Sequence, residues 1–286
     1  MANRLFSSIL KAASQGAFPK TRKRIWKFVY TLMAWFWRDT NWRFMNYGYM
    51  PDEEEPFRLD EHDEADRAFI GLYQQAVEGL DLSGKSVLEV GCGRGGGSSY
   101  IARYYDCEQV VGGDFSSSTV SVAKKLNKGI TTLSFETADA ENLPFADNSF
   151  DVVINIESSH CYSNVPNFID GVARVLKPEG IFNWADLRGR TMTDKLETNI
   201  GHENLSLVHQ KVLTPGVIRA LRFMSDKKQE QIKKTPFFRR FMSEFAATEG
   251  TTLFNGFQTA ASYTKRGVIR KYKNISGSVS HNRVSL

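Results

Sequence analysis

The sequence predicts an α/β fold, a Rossmann-like doubly wound sheet with N-terminal helices and a small helical lid insertion. Two observations predict it. Apolar runs of strand length alternate with helical segments through the middle of the chain, which favours parallel strands joined by crossover helices. A glycine-dense turn then follows the first run, at 91–97. With 286 residues and 41% hydrophobic content, the chain is long enough to build one domain of this kind around a sizeable core.

The strands can be placed from these runs. We expect strands near 86–90, 109–114, 132–137, 150–156 and 180–186. After these the alternation lapses. A strand at 206–213, a helix opening at Thr214 and a last, antiparallel strand at about 262–271 complete the prediction.

Two helices stand out by their apolar spacing. In the first, at about 64–80, the apolar residues recur every three or four positions and form one face. The second covers about 165–177 and should stop at Lys177-Pro178-Glu179-Gly180.

The chain divides into three parts. Residues 1–62 form a basic and aromatic N-terminal segment that acts as a lid or a membrane-interface element. Residues 63–273 form the main domain, with the helical insertion at about 187–250. Residues 274–286 are polar and predicted to be disordered.

The net charge of +5 is unevenly distributed along the chain. Residues 1–38 hold eight of the 37 basic residues and 250–286 hold six, with no acid in either end, so the remainder has 23 basic against 32 acidic residues. The acidic body argues against nucleic acid as a partner. The basic ends suit either an anionic membrane surface or plain solvation.

The N-terminal segment contains an apolar stretch of 13 residues, 25–37, which is well short of the ~20 needed to span a bilayer. Basic residues flank it, so 22–38 is predicted either to make peripheral membrane contact or to pack over the core. Three cysteines without a C-x-x-C pair favour a cytoplasmic location and predict no zinc site, and the five histidines are too scattered for a metal cluster. An organelle presequence in 1–22 is the less favoured alternative.

The glycine turn is a candidate ligand-binding loop. Gly91, Gly93 and Gly96 match the dinucleotide fingerprint, and Asp114 follows about 20 residues later, where a carboxylate accepts both hydroxyls of a ribose. These residues leave two ligands open, a nicotinamide dinucleotide and S-adenosylmethionine.

Three later motifs, at 138–145, 149–157 and 174–182, resemble in order and spacing those of class I S-adenosylmethionine-dependent methyltransferases. The segments 23–26, 52–63, 92–97, 139–145 and 157–162 resemble, more closely, the mycobacterial phthiotriolone/phenolphthiotriolone dimycocerosate methyltransferases and the fatty-acid O-methyltransferases. The similarity covers about 20–272. Gly113, where a larger apolar residue is usual, and the basic tails depart from it.

The resemblance implies S-adenosyl-L-methionine as the cofactor and methylation of a hydroxyl or carboxyl on a lipid-like or other hydrophobic small molecule. Sterol C-methyltransferases share the pattern more distantly, so C-methylation of a sterol-like or terpenoid-like acceptor is the alternative. A catalytically silent binding module is the alternative outside the enzymes.

The donor site is predicted to use residues at the strand ends and in the loops that follow. The loop backbone at Gly91 and Gly93 can cradle the amino-acid tail, and Glu89 either accepts hydrogen bonds from its ammonium or caps the loop. Phe115 can face the adenine, and the resemblance assigns the adenine to Asp139 and Ala140. Asn155 is expected to face the same cleft.

His160 is the candidate general base, because it follows the fourth strand and its ordinary pKa suits proton transfer near neutrality. Glu157 is the second candidate catalytic residue. It could orient His160, stabilise the sulfonium or only cap the next helix.

Overall fold

Seven strands form one sheet in the order β3-β2-β1-β4-β5-β7-β6 in the computed structural model. The structure describes residues 42–52, 57–189, 201–226, 228, 243, 246–249, 251–259 and 261–271. The strands are β1 Ser86–Val90, β2 Gln109–Asp114, β3 Leu133–Thr137, β4 Phe150–Ile156, β5 Leu176–Gly189, β6 Leu205–Val212 and β7 Ala261–Lys271. β1 to β5 pair in parallel, and β7 runs antiparallel to both β5 and β6. The predicted doubly wound sheet with an antiparallel last strand is confirmed.

The helices alternate with the parallel strands as predicted. They are α1 Arg67–Val77, α2 Gly96–Tyr104, α3 Ser117–Leu126, α4 Val165–Val175, α5 Thr214–Phe223 and α6 Thr252–Thr259. The helix expected at 64–80 is divided, because a 3-10 helix, Glu61–Asp66, precedes α1. α1 also ends earlier than expected, just before Gly79, which has a φ of +75°.

The connection between α4 and β5 differs from the predicted turn. α4 ends at Val175 and β5 begins at the next residue. The register of β5 against β4 shifts between Phe150 and Val152, and Glu179 takes a φ of +64°. The Lys177-Pro178-Glu179-Gly180 stretch therefore lies within the irregular strand β5 rather than in a turn between α4 and that strand.

The core is divided by the sheet into two apolar layers. Every residue of β1 is buried. Val87 and Leu88, which are adjacent in β1, belong to different apolar clusters of the core. The adjacent residues Val152 and Val153 of β4 are divided in the same way. Adjacent residues of a strand point to opposite faces, so a parallel strand covered by helices on both faces must be apolar throughout.

The parallel arrangement brings the ends of β1, β2, β4 and β5 to one edge of the sheet. The amide of Gly91 donates to Gly113 O at 2.7 Å, and the amide of Glu157 donates to Ala185 O at 2.9 Å. These bonds align the loop after β1 with the end of β2, and the loop after β4 with the end of β5. Ligands of doubly wound folds bind at this carboxyl edge.

Several predicted features lie outside the described residues. These are the 22–38 stretch and the 274–286 tail. Among the residues that are described, no helix combines the length and the apolar character needed to cross a bilayer. The three-part division of the chain stays a prediction.

Candidate active site

A cleft with about 990 Å³ of empty space, part of it open to solvent, lies at the carboxyl edge of the sheet. Seven predicted site residues line it: Gly91, Gly93, Asp114, Phe115, Asp139, Ala140 and Glu157. Glu89, Asn155 and His160 are not among the lining residues. Most of the residues chosen from the sequence therefore lie on the surface of one cleft. The other three lie behind or beside that cleft.

The glycine loop leaves no room for side chains at its turn. Gly91 has a φ of +79°, and a Cβ there would overlap Oγ of Ser158. A Cβ at Gly97, in the first turn of α2, would overlap the ring of Tyr73. The main chain can thus approach a ligand closely at the floor of the cleft.

Asp114 ends β2 with its carboxylate fixed by backbone donors. Its Oδ2 accepts from the amide of Gly93 at 3.1 Å, and its Oδ1 accepts from the amide of Ser116 at 2.9 Å. Burial raises its pKa to about 6, although these two amides act in the opposite direction. Both oxygens remain carboxylate acceptors on the cleft wall, which is the chemistry that a ribose diol requires.

Glu89 is fully buried beneath the loop. Its Oε1 accepts from the Tyr73 hydroxyl at 2.7 Å, and its Oε2 accepts from the Ser98 hydroxyl. Burial raises its pKa, against the effect of these hydrogen bonds. In this arrangement Glu89 holds α1 and α2 to β1, and its contact with a ligand ammonium stays a prediction.

Asn155 connects β1 to the loop after β4. Its Nδ2 donates to Val90 O at 2.8 Å and to the hydroxyl of Tyr162 at 2.9 Å. That hydroxyl lies 2.8 Å from Oγ of Ser158, which packs on Gly91. Tyr162 and Ser158 line the cleft, so Asn155 supports its wall from behind.

The adenine end of the predicted donor site is a compact turn. Oδ1 of Asp139 accepts from the amide of Glu141 at 3.0 Å, and Oε1 of Glu141 accepts from the amide of Ser163 at 2.8 Å. Phe115 lines the same cleft. The ring of Phe115, which follows β2, and the carboxylate of Asp139 in this turn thus line one cleft, the combination expected of an adenine site.

Residues 42–50, here called the roof segment, form a wall of the cleft and lie within the 1–62 stretch that was predicted as a lid or a membrane-interface element, although no residue of 42–50 was predicted to belong to the site. The guanidinium of Arg94 lies 5.7 Å from the ring of Trp42, and the ring of Phe44 packs against Gly96. Sδ of Met45 lies 3.4 Å from the position of a Cβ on Gly93. The roof segment therefore covers the glycine loop. Its only sequence signal was the aromatic content of 42–49.

The roof segment is anchored at both ends. Nη2 of Arg43 donates to Asp63 at 2.7 Å and to Asp66 at 3.0 Å. Arg103 of α2 also pairs with Asp63 at 2.7 Å. Hydrogen bonds from Arg103, Tyr104 and Arg43 lower the pKa of Asp63 to about 2, although burial opposes this.

The second anchor is Glu157, which lines the cleft just after β4. Its Oε1 accepts from the amide of Tyr47 at 2.8 Å. Glu157 has a φ of +47°, which is uncommon for a residue with a side chain and recurs at functional sites.

His160 forms an ion pair with a residue that sequence analysis had not selected. Its Nδ1 lies 2.8 Å from Oδ1 of Asp186, and its amide donates to Oδ2 of Asp186 at 2.9 Å. Burial alone would lower the pKa of the imidazole, but charges at Cys161 and Asp186 raise it well above its ordinary value. The sequence signal for Asp186 was an acid near the end of the fifth strand.

The fold and site together define the class of the protein. A sheet in this order with β7 antiparallel, a glycine loop after β1 and an acid at the end of β2 are the features of a class I methyltransferase that uses S-adenosyl-L-methionine. The cleft fits this cofactor, because the loop gives it backbone access and Asp114 lines it as a half-buried carboxylate.

Comparisons with known proteins agree with this class. A family model described as "Methyltransferase domain" matches residues 88–183. The chain is 36% identical over 250 residues to the phthiotriol/phenolphthiotriol dimycocerosates methyltransferase of Mycobacterium tuberculosis, covering 87% of this chain and 92% of that protein. It is 37% identical over 202 residues to a fatty-acid O-methyltransferase of Mycolicibacterium smegmatis, covering 71% and 73%. The chain belongs to the methyltransferase family of these two relatives.

The fold also matches a solved structure. Geranyl diphosphate C-methyltransferase from Streptomyces coelicolor A3(2), in complex with Mg2+, geranyl diphosphate and S-adenosyl-L-homocysteine, superposes with a TM-score of 0.60 at 14% identity, covering 84% of this chain and 97% of that one. At this identity the likeness shows the fold alone.

Proposed function

We propose that the enzyme methylates an oxygen, hydroxyl or carboxyl, of a lipid-like or other hydrophobic small molecule, with His160 as the general base. The observation that carries the proposal is the contact of 2.8 Å between His160 and Asp186, directly after the cleft residues Glu157 and Ser158. The relatives' names support the acceptor class, since one acts on dimycocerosates and another on fatty acids.

S-adenosylmethionine supplies a methyl group on a positively charged sulfur, and an acceptor oxygen takes that methyl by displacement while losing its own proton. Asp114 is proposed to hold the ribose hydroxyls, Phe115, Asp139 and Ala140 the adenine, and the backbone of Gly91 and Gly93 the amino-acid tail. The support for these roles is their common position on the cleft.

Asp186 is proposed to select the tautomer of His160. With Nδ1–H donating to the carboxylate, the basic lone pair of the imidazole is on Nε2. The same carboxylate stabilises the imidazolium that forms when the proton arrives. The raised pKa makes His160 a stronger base, and it also requires a higher pH for the base form to exist.

The test uses S-adenosylmethionine labelled in its methyl group and three acceptors: a long-chain fatty acid, a long-chain secondary alcohol and a sterol with a side-chain alkene. We expect label in an ether from the alcohol or in an ester from the fatty acid. His160→Ala should abolish the ether label, because only the alcohol keeps a proton that a base must remove near neutral pH. Label on carbon that survives His160→Ala would instead favour C-methylation, for which the Glu157 carboxylate at the cleft could stabilise cationic charge. Calorimetry that detects no binding of S-adenosylhomocysteine would favour a silent module.

A further inference from the structure

Thr119 lies in the first turn of α3 and lines the cleft. The side chain of Ser116, which caps this helix, accepts from the amide of Thr119 at 3.4 Å. The amide of Ser116 in turn donates to Oδ1 of Asp114 at 2.9 Å. Two hydrogen bonds therefore connect Thr119 to the carboxylate that is proposed to hold the ribose.

The residue after Thr119 fixes the position of this helical turn. Val120 packs in one apolar cluster with Cys92 of the glycine loop and with Phe135 of β3. This packing holds the start of α3 against the loop after β1. Thr119 consequently keeps a fixed position on the cleft wall, beside the end of β2.

The hydroxyl of Thr119 is buried without a partner. The residue is 4% exposed, and its Oγ1 has no hydrogen-bond partner among the described residues. An unmet buried hydroxyl lowers the stability of the folded state, and hydroxyls in helices often avoid this by bonding a backbone carbonyl one turn earlier. Ser121 of the same helix does so, donating to Ser117 O at 2.9 Å. Thr119, which adjoins the cleft, does not.

A ribose held by Asp114 requires the kind of group that Thr119 offers. A hydroxyl has one proton and two lone pairs, so a ribose hydroxyl that donates to the carboxylate still has lone pairs that can accept. Asp114 cannot supply a proton as a carboxylate. The amides of Gly93 and Ser116 already donate to Asp114 itself. The hydroxyl of Thr119 is a donor on the same wall of the cleft.

We propose that the hydroxyl of Thr119 donates a hydrogen bond to a ribose oxygen of S-adenosylmethionine. The inference rests on the proposed placement of the ribose at Asp114, and not on the identity of the acceptor. The ribose would then be held from two sides, by a carboxylate that accepts its protons and by a hydroxyl that donates to its oxygen. The partner that Thr119 lacks in the protein arrives with the donor.

The first experiment compares the wild type with Thr119→Val, which keeps the shape of the side chain and removes the hydroxyl. We expect the Kd of S-adenosylhomocysteine, measured by calorimetry, to rise about tenfold, the size expected for one hydrogen bond. Without ligand, the midpoint of urea unfolding should rise, because an unmet polar group has been replaced by an apolar one. Thr119→Ser, which retains the hydroxyl, should keep the affinity of the wild type.

Thr251→Val is the matched control, because the hydroxyl of Thr251 donates to Thr248 O at 2.7 Å and the residue is not on the cleft lining. It should lower the unfolding midpoint and leave the affinity unchanged. Unchanged affinity in Thr119→Val overturns the inference. A lower unfolding midpoint or a loss of the fold in Thr119→Val also overturns it, since the hydroxyl would then have a structural role.

The second experiment identifies the atom on the ligand, using S-adenosylhomocysteine that lacks either the 2′-hydroxyl or the 3′-hydroxyl. For one of these analogues, the loss of affinity should be about tenfold larger in the wild type than in Thr119→Val, because the variant has already lost the contact. Equal losses in the two proteins with both analogues overturn the inference.

Asp114→Asn separates this inference from the proposal on which it rests. Weak binding of S-adenosylhomocysteine by Asp114→Asn, with no coupling at Thr119, overturns the role of Thr119 and leaves the ribose contact at Asp114 standing. Wild-type affinity in Asp114→Asn overturns both. The labelled-methyl assay, which tests the acceptor, is independent of either result.

Discussion

Nδ1 of His160 lies 2.8 Å from Oδ1 of Asp186 and joins the loop after β4 to β5. The carboxylate of Asp186 is fully buried and also accepts from the hydroxyl of Ser159 at 2.7 Å and from the amide of His160. The imidazole is therefore held by a carboxylate that is itself fixed by two neighbours. This hydrogen-bonded arrangement suits a base that must keep one orientation through the reaction.

Asp186→Asn tests that arrangement. The substitution preserves the shape but removes the charge that selects the tautomer, so we expect kcat to fall by about 10²-fold, the lower range for loss of a general base. Affinity for S-adenosylhomocysteine should be retained, because Asp186 does not line the cleft. Asp147→Asn, which removes a charge from an exposed pair with Arg174, is the control. Full activity in Asp186→Asn would contradict the assignment.

The rate should depend on pH through His160. Its pKa is raised above 6.5, so the imidazole is protonated below that raised value and the rate should increase as pH rises through it. The stability that the pair contributes runs the other way, being complete below about pH 6.5 and lost as pH rises through the folded-state pKa. Profiles of kcat against pH for the wild type and Asp186→Asn should show the limb at lower pH in the variant. Coincident limbs would mean that another group titrates.

Asp114 should make donor binding depend on pH. With a pKa of about 6, the carboxylate is mostly protonated at pH 5, so the affinity for S-adenosylhomocysteine should be about tenfold weaker at pH 5 than at pH 7.5. Isothermal calorimetry at the two values measures it. Asp114→Asn should bind weakly at both, and an equal pH effect in that variant would assign the titration elsewhere.

The same residue should reduce the stability of the ligand-free enzyme. Its pKa rises from 3.8 to about 6 on folding, so its contribution to stability is complete below about pH 4 and is lost as pH rises through 6. The stability of Asp114→Asn relative to the wild type should therefore rise by up to about 3 kcal/mol between pH 3 and pH 8. Urea unfolding without ligand at both pH values checks the sign.

Gly91→Ala should lower the free energy of unfolding by more than the positive φ of Gly91 alone would explain. A Cβ at Gly91 would overlap Ser158 at a φ of +79°, whereas Gly84, with a φ of +64°, has nothing within 4 Å of the same position. We expect Gly84→Ala to lose about 1 kcal/mol, the cost of the left-handed region for alanine. Gly91→Ala should lose clearly more and also lose donor binding. Equal losses of stability in the two variants would show that Ser158 can move away from the added Cβ without a loss of stability.

The strands were predictable because their signals are local. The run at Val87 and Leu88 and the glycines that follow mark β1 without help from the rest of the chain. Asp114 followed from one rule, an acid at the end of a parallel strand, and that rule applied to β5 points to the Asp186 region as well. His160 follows the cleft residues Glu157 and Ser158 but does not line the cleft, and its role as a base stays a prediction.

The rest depends on contacts between distant parts of the chain. Glu89 is held by Tyr73, 16 residues earlier, and Glu157 holds Tyr47 across 110 residues. No periodicity or composition reports such pairs. No residue of 42–50 was assigned to the site, because the packing of this stretch on the glycine loop arises only when α1 and α2 are in place.

The position of the roof segment bears on how small an active form of this enzyme can be. The stretch recognised as a methyltransferase domain begins at residue 88, and all seven strands lie between Ser86 and Lys271. A truncated chain that starts at β1 would keep the whole sheet and still lack Phe44, Met45 and the acid pair that tethers Arg43. Such a fragment would leave the glycine loop uncovered on one side, so we expect an active form to keep the roof segment together with the acids that hold it.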